Sequence, residues 1–463
     1  MPRALRIAAW SLGGLLLLVL LLIAAVIVIG NFAPGRRLLE SETARLTSGK
    51  VLISGLGGTF PWDIELASLR LRDAKGEWLS ARGVSLHWSP LALFAWDMHI
   101  DSLGIQAVDV LRKPISSPST GTSSRSSSSL PAIDVDRLQI GVLALEPAAA
   151  GLRARLNVHG NLHYRSMQDA EGSLVARRTH GSGDYEIALR LVRSRMSARL
   201  NLQEPAGGPL GHLLNLPGLG ALSVIASIEG PRNAERLALD AHAGQLSAKA
   251  GGTVDLEHRA ADLTYSVASP PMSPRPGLAW RRIAVQGRWV GPVTAPQATA
   301  VADLEGLELP DGAQLGSLQA NLHANGRVLT ARATANGIVL AGSQPQLLQG
   351  SPLNVDATMR LDATGRPLHL TVTHRLLQLD ARAITSGARS ASFDLRLRDL
   401  SVLAAVYHQD IGGTMSLSGK VAEQGQNTTL EVSGTGDLTG ASLASKLLGA
   451  DARLHLAGNM TPA

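Results

Sequence analysis

From Leu152 to Tyr164 every second residue is apolar or small: Leu152, Ala154, Leu156, Val158, Gly160, Leu162 and Tyr164. The residues between them are Arg153, Arg155, Asn157, His159, Asn161 and His163. A period of two sends successive side chains to opposite faces of a strand. The same alternation returns over Tyr185–Leu191, Ala320–Asn325, Leu353–Ala363, Leu368–Thr373, Phe393–Arg398 and Arg453–Leu456. Each stretch predicts a strand apolar on one face and wet on the other, as antiparallel sheets allow. Turn residues separate the runs, for example Asn325-Gly326 and Thr364-Gly365. Ile64 and Leu66 sit on one parity and Leu69 and Leu71 on the other, so a bulge or kink is expected near Ala67-Ser68.

The apolar positions are mostly Leu, Ala and Val, and aromatic residues are only 3% of the chain, too few to fill a thick globular core. The expected fold is therefore mainly β: an N-terminal transmembrane helix followed by an elongated, curved β-sheet with an open apolar groove. If about 30 strands stack at 4.7–4.9 Å, such an array is about 140 Å long.

The helix is read from the N-terminus. Residues 7–35 carry no ionisable side chain, and Leu15 to Ile29 is almost unbroken Leu, Ile, Val and Ala. About 20 such residues span a hydrocarbon core of roughly 30 Å. The run is too long for a cleavable signal and leaves through Asn31-Phe32-Ala33-Pro34-Gly35 rather than a small-x-small site. Residues 1–36 thus read as a retained anchor, with 7–29 crossing the membrane. Arg36 and Arg37 balance Arg3 and Arg6, and the free α-amino group tips the N-terminus towards the cytoplasm. Leu38, Leu39, Thr43 and Leu46 then predict a short helix stopped at Gly49.

Residues 37–113 form an expected membrane-proximal α+β module. Pro114 to Pro131 is low-complexity Ser and Pro, expected to be a disordered linker to the main array over 132–463. Gln203 to Gly220 and Ala268 to Gly277 are weaker breaks, and no fixed-length repeat is evident.

Charge and composition narrow the function. The first 50 residues hold six basic groups against Glu40 and Glu42, so the other residues carry only +2 of the net +6. Without a concentrated basic face and stacking aromatics, nucleic-acid binding is not expected. Cys is absent, which excludes disulfides and thiolate metal sites. Trp10, Trp62, Trp78, Trp88 and Trp96 precede residue 100, a placement that suits either core packing or an aromatic belt near the interface.

Gly55-Leu-Gly57-Gly58 opens no helix and lacks a Lys-Ser/Thr end, so it reads as a turn rather than a phosphate loop. His159 and His163 share a strand face but stand roughly 13–14 Å apart, too far to share a metal. Asp134 and Asp136 are separated by one residue, but no nearby His or Glu is expected to complete a site. No catalytic, cofactor-binding or metal-ligating residue is expected, and no enzymatic activity.

Four stretches carry a resemblance. They are Val51-Leu-Ile-Ser-Gly-Leu-Gly-Gly-Thr-Phe-Pro-Trp-Asp63, Leu69-Arg-Leu-Arg-Asp-Ala-Lys-Gly-Glu-Trp-Leu79, Val84-Ser-Leu-His-Trp-Ser-Pro-Leu-Ala-Leu-Phe94 and Ile100-Asp-Ser-Leu103. In order and spacing they resemble the start of the periplasmic part of the TamB family, the AsmA-like translocation and assembly module subunits. With the anchor, the resemblance covers residues 1–113; beyond residue 131 only the β character agrees. It implies an inner-membrane protein, crossing once, with the bulk of the chain in the periplasm. It also implies a β groove that carries phospholipid towards the outer membrane and supports outer-membrane biogenesis.

The alternative it implies is a subunit working with an outer-membrane barrel protein in protein secretion or insertion; a tethered β-solenoid enzyme or adhesin is a more distant reading. Family members are longer and meet the barrel through a C-terminal domain, so a chain stopping at Thr461-Pro462-Ala463 is expected to be the N-terminal part of one. Phospholipid acyl chains are the expected cargo, sliding on a Leu/Val/Ala face that offers no hydrogen bond to hold a head group. The residues expected to line it are Leu152, Leu156, Val158, Leu162, Leu353, Val355, Met359, Leu361, Leu395 and Leu397.

Overall fold

A computed structural model describes residues 31–115, 132–341 apart from Met167, 348, 350–401 apart from Ala388, 411–424, 427–440 and 451–460. The expected anchor over 7–29, nearly all of the Ser/Pro linker and the C-terminal Thr461-Pro462-Ala463 lie outside the described residues. Among the described residues, no helix is long and apolar enough to cross a membrane. The chain is mainly β, with 26 strands and three short α-helices among the described residues. It divides into two compact units, and each is an open sheet in which successive strands pair.

The first unit comprises residues up to Pro217 together with Ala221–Glu229. It begins with helix α1 (Ala33–Leu46), which contains the Leu38, Leu39, Thr43 and Leu46 set and is followed by Gly49 at φ 75°. Its first strands are β1 (Val51–Gly57), β2 (Asp63–Asp73), β3 (Gly76–Ser89) and β4 (Asp97–Val110). These pair antiparallel in order. Helix α1 packs on the edge strand β1, where the Glu40 carboxylate accepts the Leu56 backbone N–H at 2.8 Å. One end of the sheet is thereby closed to further pairing at that position, as exposed edges require.

The expected division at residues 114–131 is corrected. Strand β5 (Ala132–Leu145) pairs parallel with β4 from Asp97↔Ala132 to Val110↔Leu145, so both sides of the Ser/Pro stretch belong to one sheet. A parallel pair cannot be joined by a short turn and needs a dozen residues or more between its strands. The sheet continues antiparallel through β6 (Ala154–Ser166), β7 (Asp169–Arg178), β8 (Asp184–Val192) and β9 (Arg195–Glu204). Strand β10 (Leu222–Pro231), within this unit except for its last two residues, pairs with β9. Helical turns α2 (Pro147–Ala150) and α3 (Pro209–Leu213) lie in the β5–β6 and β9–β10 connections.

The kink expected near Ala67 extends across the sheet. Gly55, Ala67, Gly83, Gln106 and Gly141 face one another on β1 to β5, and the pairing skips each of them. Gly55 has φ 67°, a left-handed conformation, and a Cβ there would stand 2.5 Å from the Ala67 Cβ. Only glycine meets both demands. The apolar positions change parity at this line on each strand, so the bulges keep one face apolar on both sides. That face holds the core: Ala81, Val84 and Val108 are buried among Leu66, Leu69, Leu103 and Ile105. At the far end of β2, Asp73 accepts hydrogen bonds from Arg112 and from the Lys75 and Ile115 N–H groups. The Arg112 guanidinium holds its carboxyl well below the usual range.

The second unit comprises Gly218–Gly220 and the chain from Gly230. Its sheet runs through β11 (Glu235–Ala243), β12 (Leu246–Asp255) and β13 (Ala260–Ser269). A small hairpin follows, β14 (Met272–Arg275) and β15 (Leu278–Trp280), in which the Trp280 indole donates to Ser269 Oγ at 2.8 Å. The sheet resumes with β16 (Arg282–Pro292) against β13, then β17 (Gln297–Glu308), β18 (Gln314–Asn325) and β19 (Val328–Val339). It continues as β20 (Leu353–Arg360), β21 (Pro367–Thr373), β22 (Leu377–Ile384) and β23 (Ser390–Leu397). Strands β24 (Gly412–Gln424), β25 (Asn427–Thr439) and β26 (Ala452–Met460) complete it. Every pairing in this ladder is antiparallel. The expected strand over Leu353–Ala363 stops at Arg360, because Thr364-Gly365 turns the chain at φ 78°.

Candidate functional site

Paired residues in a sheet share a face, so the registers extend a strand's apolar stripe sideways into a surface. In the first unit Gly160, Leu174, Ile187 and Leu200 form one row across β6 to β9, and Leu162, Gly172, Leu189 and Ala198 form the next. Leu162, Leu174, Ile187 and Leu189 are between 39% and 50% exposed. The opposite face carries Arg190 3.3 Å from Glu171, Arg177 3.3 Å from Asp184, and Arg199 paired with Glu229. Apolar and ionic residues are thus sorted to opposite sides, as the alternation predicts.

Openness is not uniform along the apolar face, which corrects part of the expected groove. Leu156 and Val158 are only 8% and 5% exposed, and Ala154 beside them is buried. These residues start β6, next to the place where turns α2 and α3 pack together and Gly151 lies against His212. Leu152 precedes the strand as part of that bend. The face is closed at this end and open at Leu162. Two polar groups at the closed end satisfy each other: the Tyr185 hydroxyl donates to Glu204 Oε2 at 2.7 Å, and Glu204 also accepts the Leu210 N–H at 2.9 Å. Burial, with the adjacent carboxylate, pushes the Tyr185 phenol up, so it stays a donor.

In the second unit Val355, Val372, Leu379, Leu395 and Leu417 form one row across β20 to β24, and Met359, Leu368, Ala383, Ala391 and Val421 a parallel one. Leu353 lies opposite Ala335, and Leu397 opposite Leu377 and Met415. Five of the expected lining residues, Leu353, Val355, Met359, Leu395 and Leu397, therefore share one half-buried face. Leu361 lies past the end of β20, its N–H bonded to the Arg327 carbonyl at 2.7 Å, and is not part of the ladder. Glycines on this face lie beside aromatic rings: a Cβ on Gly287 or Gly419 would strike the ring of Tyr265 or Phe393. The rings lie over neighbouring backbone instead of standing away from the sheet, which leaves space above it. Ion pairs stand on the other face, among them His369–Asp380 at 2.7 Å and Arg332–Asp356 at 3.3 Å.

One polar arrangement escaped the sequence reading. Register places His99 opposite Asp134, and Asp134 opposite His163, so imidazoles from β4 and β6 flank the carboxylates of β5. His99 Nε2 is 3.3 Å from Asp101 and 3.7 Å from Asp136, while His163 Nδ1 is 3.3 Å from Asp134. The expectation that no His lies near Asp134 and Asp136 is overturned by strands that meet across the sheet. No protein-family model, curated protein or solved structure matches the chain.

Proposed function

We propose that the chain is a membrane-anchored conduit whose apolar sheet face carries phospholipid acyl chains, working from the inner membrane towards the outer membrane. The observation that supports this most is the pair of long apolar faces, strand after strand of Leu, Val, Ala and Gly, left half-exposed over Leu162–Leu189 and Val355–Leu417. Contiguous exposed apolar surface on this scale calls for an apolar partner. The uncharged run over 7–29 supports a bilayer attachment, and the four N-terminal stretches that resemble the TamB family support the compartment. Head groups find no anchoring site on such a face and stay at its wet margin, so chains can slide. The second reading, in which sheet edges template nascent barrel strands, is weakened at the β1 edge, where helix α1 already occupies the Leu56 N–H.

The test uses the full chain extracted in native bilayer discs. Phospholipid in excess of the disc lipid, quantified by mass spectrometry after transfer to lipid-free buffer, is expected to co-purify with the wild type. Placing Glu at both Leu174 and Ile187 puts two carboxylates into one apolar row, where desolvation penalises them, and is expected to reduce bound lipid several-fold with the fold intact. Equal lipid in the folded double variant and the wild type would remove this face as the path.

A further inference from the structure

We propose that His99, Asp101 and Asp136 form a binding site for a divalent transition-metal ion of the zinc class, on the polar face where β4 and β5 pair in parallel. One ligand atom from each of the three lies within 4.8 Å of the others. Ligands at about 2.1 Å around a tetrahedral ion are about 3.4 Å apart, and His99 Nε2 is 3.3 Å from Asp101 Oδ1 and 3.7 Å from Asp136 Oδ2. One imidazole and two carboxylates suit zinc, manganese or iron(II) and leave further positions for water.

Charge distinguishes this cluster from its surroundings. Elsewhere on the unit's polar face, carboxylates meet guanidinium groups: Asp109 with Arg82, Glu171 with Arg190, Asp184 with Arg177, Glu229 with Arg199. Among the described residues, no Lys or Arg forms an ion pair with Asp101, Asp134 or Asp136. Their partners are imidazoles alone, so no fixed positive charge among the described residues stands against these three carboxyl groups.

Further polar groups stand behind the ligands. The pairing of β5 with β6 slips between Val135 and Leu138, and this bulge sets the direction of Asp136. The second oxygen of Asp136 lies 4.0 Å from His163 Nδ1, which is itself held at 3.3 Å by Asp134, a buried carboxylate. In metal sites the ligating side chains are commonly oriented by polar groups beyond them. An ion bound here joins β4 to β5, which pair in parallel.

The test is calorimetric titration of the chelator-treated full chain with ZnCl2, and a visible absorption spectrum with Co2+. The wild type is expected to take up one Zn2+ and to show Co2+ ligand-field bands. His99→Ala and Asp136→Asn are each expected to weaken Zn2+ binding by about tenfold or more and to alter the Co2+ bands. His159→Ala, on the same face of β6 but outside the cluster, is the control expected to bind as the wild type does. These residues are partly exposed, so the variants should keep the wild-type circular dichroism. Absence of saturable Zn2+ binding in the wild type, or equal affinity in all four proteins, would overturn the assignment.

Discussion

Leu156→Arg is expected to unfold the first unit, whereas Ile187→Arg on the same apolar face is expected to leave it folded. Both positions carry aliphatic side chains on adjacent parts of one surface, and sequence alternation alone treats them alike. Leu156 is buried beside the paired turns α2 and α3, while Ile187 is half-exposed. Glu204, the carboxylate at that end, is already engaged by the Tyr185 hydroxyl and the Leu210 N–H. A guanidinium forced into the Leu156 site is therefore left uncompensated, and such a buried charge costs roughly 3–5 kcal/mol. At Ile187 the long arginine stem can lie on the sheet with its head in water, and the cost should stay below about 1 kcal/mol. Urea denaturation followed by tryptophan fluorescence and limited proteolysis distinguishes the two. Equal stability of the variants would mean that the α2–α3 end is as open as the rest.

Glu235→Gln is expected to stabilise the second unit at neutral pH and to do so less and less as the pH falls. The Glu235 side chain is wholly inaccessible to solvent at the start of β11. Among the described residues neither carboxylate oxygen makes a well-formed hydrogen bond, the Leu256 N–H and the Arg232 charge only partly opposing the burial. Desolvation pushes its carboxyl above the usual range. A raised folded-state value means that the native state binds the proton more tightly than the unfolded one. Stability therefore falls as pH rises from the ordinary glutamate range through the folded value. Glutamine keeps the shape and removes the charge. A gain of about 1–3 kcal/mol at pH 7.5, vanishing near pH 4, is the expected result of thermal melts across that range. A destabilised Gln variant at pH 7.5 would show that the carboxylate has a favourable partner.

Period-two alternation was enough to place strands and to sort Leu353, Val355, Met359, Leu395 and Leu397 onto one face, because side-chain direction in a strand depends only on local backbone geometry. The kink at Ala67 was legible for the same reason, as a change of parity between Leu66 and Leu69. What the pattern could not carry was anything decided by residues far apart in sequence. Leu156 and Leu162 occupy equivalent positions in the alternation, yet one is buried and the other open, and the buried one lies towards the end where Gly151 meets His212. The Ser/Pro stretch looked like a boundary, yet a parallel pairing of β4 with β5 spans it. The His99, Asp136 and His163 cluster depends on the registers of three strands, and no spacing within any one of them signals it.

The most direct test of the conduit is site-specific photocrosslinking in living cells, with benzoylphenylalanine placed at Ile187 in one strain and at Glu186 in another. These neighbours point to opposite faces of β8: Ile187 lies in the row of Leu174 and Leu200, and Glu186 lies between Val175 and Asn201. Mass spectrometry of the purified chain after irradiation is expected to find phospholipid adducts at residue 187 and none above background at residue 186. The same contrast is expected between Val355 and Asp356 on β20. Adducts of equal yield on both faces, or protein adducts alone at Ile187 and Val355, would contradict an acyl-chain path along the apolar face.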